Sequence, residues 1–143
     1  MIILAAVDNS EHGAEVVAEA AALATAYDLP VHAIHALTRS EFVNTGRERA
    51  HERKEMSMQE MRDRAQKRAQ RALDAAGVSG TAVGKIGKPG DEISKYATAN
   101  DARYIVVGPR RRSRTGKAVF GSVTQSVILQ SEQPVVTVMM DDD

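Results

Sequence analysis

Between Val106 and Val123 the chain reads VVGPRRRSRTGKAVFGSV, and Arg110, Arg111, Arg112, Arg114 and Lys117 place five cations within eight residues. Three surroundings suit such a stretch: a nucleotide phosphate, a nucleic acid, or plain solvent around an exposed loop. Gly108 closes an apolar run and allows close backbone approach to a ligand. Gly121 and Ser122 open an amphipathic run, where helix-start N–H groups and the helix dipole both attract an anion. Guanidinium groups upstream can add bidentate, charge-assisted bonds to phosphate oxygens. Anion binding, with phosphate foremost, is the chemistry these residue types support.

Two common phosphate signatures are absent. TGKA contains Gly116-Lys117, but Arg111 stands at the place of the first Walker glycine and Ala118 at that of the magnesium-binding hydroxyl. No G-x-G-x-x-G follows an apolar run, which argues against the common dinucleotide fold. Nucleic acid is the weaker alternative: net charge is zero and aromatic residues are only 3%, leaving few stacking platforms. Asp8 follows the first apolar run and can cap a helix, but Asn9 or Ser10 can take that task and leave Asp8 to a ligand. His32 and His35 differ by an odd number, so on a strand they face opposite sides and form no metal pair. His12 and His51 lack evident acidic partners, and no structural metal is expected. No side-chain pair stands out as a general base with its orienting group, so no catalytic residue is assigned.

The elements that must position these residues alternate in type. IILAAV (Ile2 to Val7) reads as a buried strand, followed by a helix over Ala14 to Tyr27 that is apolar around most of its circumference. VHAIHAL (Val31 to Leu37) is a second strand. Thr38 to Arg47 read as a loop. A long charged helix is predicted from Glu48 to Ala76, its apolar stripe running through Met58, Met61, Ala65, Ala69, Ala72, Leu73 and Ala76. Glu60 with Arg64, and Asp63 with Lys67, are favourably spaced pairs on it, and Gly77 ends it. TAVGKI (Thr81 to Ile86) is a weaker third strand. Pro89 then opens a helix with Asp91 and Glu92 in its first turn and Ile93, Tyr96 and Ala97 inward. RYIVVG is strand four, Ser122 with Gln125 is a capping box for the last helix, and after Pro134 comes strand five, VVTVMM.

This alternation predicts an α/β domain: an open parallel sheet with helices on both faces. Such sheets bind ligands beyond the carboxyl ends of their strands, where strand order reverses. Asp8 and the arginine loop fall at the same rim. One domain over residues 1–140 and a frayed acidic tail, Asp141 to Asp143, account for the length. The apolar fraction of 43% and charged fraction of 27% suit a soluble globular chain. There is no cysteine, and MIILAAVDNS reads as a strand rather than an export signal, so a cytoplasmic protein without membrane segments is expected.

The chain resembles the universal stress protein family from Met1 to about Met139. The likeness rests on VDNS after strand one, on GKPGDEISKYATANDARYIVVG, and on Gly108 and Gly121-Ser122. These last fall at the family's spacing of glycine, two residues, glycine, nine residues, glycine, Ser or Thr. The resemblance implies a five-stranded sheet in the order 3-2-1-4-5, of the adenine nucleotide alpha hydrolase-like kind, and usually a homodimer. It implies ATP, with any magnesium brought by the nucleotide, in many members but not all. Asp8 would meet the adenosine end beside Ala6 and Val7, with Ala36 lining the adenine pocket. Gly108, Arg110, Arg111, Gly121, Ser122 and Val123 would surround ribose and phosphates. Arg111 replaces the second motif glycine: it either fills phosphate space or adds a donor. The function implied is regulatory nucleotide binding in a stress response, with slow ATP hydrolysis at most; the alternative is a homodimeric interaction module that has lost the nucleotide. An adenylyl-transferring enzyme would want a histidine motif after strand one, which DNSEHG does not match in spacing. Strand five, apolar on both faces and at the sheet edge, would pair with a second copy through Val135 to Met139.

Overall fold

The structure, a computed structural model, describes residues 1–8, 12–38, 40, 57–108, 111–112 and 118–139. Asn9, Ser10, His51, Arg110, Arg114, Lys117 and the acidic tail lie outside them. Five strands, β1 (Ile2–Ala6), β2 (Val31–Leu37), β3 (Thr81–Ile86), β4 (Ala102–Val107) and β7 (Val135–Thr137), form a parallel sheet. Its order is β3-β2-β1-β4-β7, so counting these five strands alone it is 3-2-1-4-5. The remaining two, β5 (Arg111–Arg112) and β6 (Ala118–Val119), make a separate antiparallel ribbon inside the arginine segment.

Helices α1 (Gly13–Tyr27) and α2 (Met58–Ala76) cover one face of the sheet, and α3 (Pro89–Ala99) and α4 (Ser122–Gln130) the other. Strand parity decides which residue meets which layer. Ile3, Ala5, Val7, Val31 and Ala33 pack under α1 and α2. Ile2, Leu4 and Ile34 pack under α3 and α4. Enclosed side chains such as Ile3, Leu4, Ile34 and Ile105 each contribute about 1.5–3 kcal/mol by leaving water. The α1–α2 layer is rich in alanine, and small side chains let backbones close in. A Cβ on Gly13 would stand 3.2 Å from the Ala72 Cβ. At Gly84 on β3 it would collide with the Arg62 carbonyl oxygen and lie 2.5 Å from the Gln66 nitrogen, so α2 rests directly on the strand backbone.

Several expectations from the sequence are corrected. The α2 helix begins at Met58, because Ser57 is extended (φ −76°, ψ 163°) and its hydroxyl accepts from the Glu60 N–H at 3.1 Å. A helix running unbroken from Glu48 is therefore excluded, although residues 41–56 themselves lie outside the described set. Met58, placed in the apolar stripe, is exposed at the helix's first position. Asp63 accepts from Gln59 at 2.9 Å rather than pairing with Lys67. The α1 helix buries one stripe (Gly13, Val16, Val17, Ala20 and Ala24), and Ala18, Ala22 and Ala26 face solvent. Its N-cap position falls on His12, not on Asp8, Asn9 or Ser10, the caps that the sequence offers. Strand five is only three residues long, extended by one bond from Val138 N–H to the Val107 carbonyl at 2.7 Å. Gly77 ends α2 in the left-handed conformation (φ 66°), and Pro89 starts α3, both as the sequence indicates. Among the described residues no helix is long and apolar enough to cross a membrane.

Candidate functional site

The sheet reverses direction of growth between β1 and β4: β2 follows on one side of β1, β4 on the other. Connections leave this point on opposite faces, which opens a crevice above the carboxyl ends of β1 and β4. Asp8 stands exposed just beyond β1, and Gly108, half-buried, just beyond β4. Ile3 to Ala5 run in register with Tyr104 to Val106, after a shift of register between Ile2 and Ile3, so the two strand ends are neighbours.

On the β1–β2 side the rim is lined by small or buried residues. Ala6 sits opposite Ile34 in register. Strand parity puts Ala6 and Ala36 on the same, α3–α4, side of the sheet. Val7 is buried on the opposite face. The Val7 N–H still donates to the Ile34 carbonyl at 2.9 Å. Its carbonyl accepts from a side chain, His35 Nδ1, at 2.8 Å. Arg68 on α2 approaches the other ring nitrogen of His35, Nη1 to Nε2 at 3.2 Å.

On the β4–α4 side the N-cap of the helix is Gly121 (φ −69°, ψ 164°), and Ser122 is the first helical residue. The expected capping box is therefore absent: Ser122 is one position too late to cap, and the Gln125 amide donates to the Phe120 carbonyl at 3.0 Å. The first helical bond runs from the Gln125 N–H to the Gly121 carbonyl. The backbone N–H groups of Ser122 and Val123 precede it and have no partner within the helix. Thr124, which sequence reasoning missed, is buried and its hydroxyl donates to the Gly108 carbonyl at 3.0 Å. That bond ties the end of β4 to the first turn of α4 across the arginine segment. Arg111 lies in extended backbone paired with Val119, so position 111 takes an L side chain without a glycine-like dihedral.

The family model described as the universal stress protein family matches residues 1–139. The chain belongs to the universal stress protein family. Among solved structures, the universal stress protein of Archaeoglobus fulgidus is 29% identical with a TM-score of 0.63, over 96% of this chain and 97% of that one. The A. fulgidus protein solved in complex with dAMP is 26% identical with a TM-score of 0.60, over 96% of each chain. A universal stress protein in complex with cAMP shares the fold at 20% identity and a TM-score of 0.63, over 97% of this chain and 96% of that one. No curated protein matches the chain significantly.

Elsewhere in this universal stress protein, the first histidine of β2 serves the other face. His32 Nδ1 and the Tyr96 hydroxyl share a 2.7 Å hydrogen bond between β2 and α3. Burial, and after it the positive N-terminus, hold the His32 imidazole below its ordinary pKa, while burial raises the Tyr96 phenol. His32 and His35 thus point to opposite faces, as their odd separation requires. Among the described residues no group of three or more His, Asp or Glu side chains gathers at one point that could hold a metal ion.

Proposed function

We propose that this universal stress protein binds ATP or a related adenine nucleotide as a regulatory ligand. The observation that carries the reading is that Asp8 and Gly108 follow the neighbouring ends of β1 and β4 at one switch point. The A. fulgidus relative solved with dAMP supports an adenine ligand. Small residues at the rim suit the nucleotide: Ala6 and Ala36 leave room for a flat base, with Val7 behind them, and Asp8 would meet the ribose. The N–H groups of Ser122 and Val123, at the positive end of α4, suit phosphate oxygens, with Gly108 and Gly121 allowing close approach. Arg110 and Arg111 would add guanidinium donors, and magnesium would arrive with the phosphates. The role is regulatory: occupancy would shift the segment or a dimer between states of different affinity. A homodimer through the β7 edge, Val135 to Met139, and a cytoplasmic setting belong to the same reading, which takes residues 1–140 as the unit.

Calorimetric titration with ATP, AMP and cyclic AMP tests it, on the wild type and on Asp8→Ala and Arg111→Gly. ATP binding by the wild type that weakens about tenfold or more in Asp8→Ala is the supporting result. A fall on Arg111→Gly makes that arginine a phosphate ligand. A silent wild type with a binding Arg111→Gly variant contradicts the reading and marks an interaction module that has closed its own crevice.

A further inference from the structure

We propose that His35 is the residue that positions Asp8 for the adenosine end of the nucleotide, and that Arg68 holds its imidazole in the form this requires. The proposal rests on the nucleotide reading above and adds a residue to that site. His35 is only 6% exposed and, with Thr124, is one of two buried polar side chains among the described residues. Each bonds a carbonyl at the end of a rim strand: Thr124 that of Gly108 after β4, His35 that of Val7 after β1.

The chemistry of the partners fixes the ring. A guanidinium has donors and no acceptor. Arg68 at 3.2 Å can therefore bond Nε2 only through the lone pair of that nitrogen. The ring proton then resides on Nδ1 and is donated to the Val7 oxygen 2.8 Å away. The carbonyl of Val7 and the N–H of Asp8 belong to one planar peptide group. Holding the oxygen sets the orientation of that plane and the direction in which Asp8 leaves the sheet. The ladder bond at Val7 N–H fixes the near side of the residue, and the imidazole fixes the far side.

The neighbouring strand makes this contact possible. His35 lies in register with Gly84. Because Gly84 has no Cβ, the α2 backbone at Arg62 and Gln66 settles onto β3, which brings Arg68 over β2. A movement of α2 is thereby passed through Arg68 and His35 to the peptide that carries Asp8.

Two variants separate position from stability. His35→Asn keeps an N–H donor at the place of Nδ1. His35→Leu keeps volume and removes the donor. NMR of the ligand-free protein gives the first readout: the Asp8 amide resonance moves in His35→Leu and stays near its wild-type place in His35→Asn. Titration gives the second, with ATP, adenosine and inorganic tripolyphosphate as probes. ATP and adenosine weaken about tenfold in His35→Leu, tripolyphosphate is unchanged, and His35→Asn restores both. Equal weakening of all three ligands shows a merely structural role and overturns the proposal, as does an unmoved Asp8 amide. Should the wild type bind no nucleotide while the Asp8 amide still moves, the nucleotide reading fails and the positioning stands.

Discussion

The carboxyl ends of β1 and β2 and the segment after β4 lie at the same rim, but different forces hold them. At β1 the backbone is fixed by a sheet ladder up to Val7 and then by a buried imidazole backed by a guanidinium. At β4 the sheet ladder runs to Val107, whose carbonyl accepts from the Val138 N–H, and the described tie beyond it is the Thr124 hydroxyl on the Gly108 carbonyl, followed by a two-residue ribbon from Arg111 to Val119. One end is built into the core and costs stability when altered. Beyond the other, the described tie of Thr124 to Gly108 is a neutral hydrogen bond, worth about 1 kcal/mol net. On the proposed reading, the end fixed by His35 would take base and ribose, and the end tied by Thr124 would take the phosphates.

The contrast breaks most violently at Gly84. Gly84→Val forces α2 off β3, and overpacking of this kind costs about 1–3 kcal/mol or more. Chemical denaturation should show a lowered midpoint, and adenosine affinity should fall with it, because Arg68 is carried away from His35. Thr124→Val removes only the tie at the other end, for about 1 kcal/mol of stability. Here tripolyphosphate binding should weaken and adenosine binding should not, the mirror image of His35→Leu. The smallest effect lies off the site altogether. His32 has a folded pKa below its ordinary value of 6.5, because burial disfavours its charged form. The unfolded chain takes up that proton first, so stability is full above about pH 6.5 and is lost as pH falls from there through the lowered folded value. His32→Gln should flatten the pH dependence of the denaturation midpoint below pH 6.5 without altering nucleotide affinity.

The segment after β4 was legible as a motif, and Asp8 as a residue at the rim, but the fastening of the β1 end was not. Gly108 and Gly121-Ser122 have types and spacing that carry meaning in one dimension, as does the alternation of elements that yields the sheet order. The pairing of His35 with Val7 spans 28 positions, and that of Arg68 with His35 spans 33. Parity along β2 showed correctly that the two histidines part company, but not that one of them meets a strand end. Gly84 carried the available signal: a glycine inside a strand marks close backbone approach. The capping box failed for a local reason. Glycine at 121 takes the extended cap conformation itself and shifts Ser122 into the helix. Helix α2 was drawn too long because charge continues past Ser57, while the chain turns there.

The most direct test of the two-ended crevice is a crystal structure grown with excess ATP. The account expects the base beside Ala36, the ribose at Asp8, and the phosphates on the N–H groups of Ser122 and Val123. A crevice filled by the Arg111 side chain, or a nucleotide bound away from the β1–β4 switch point, would contradict it.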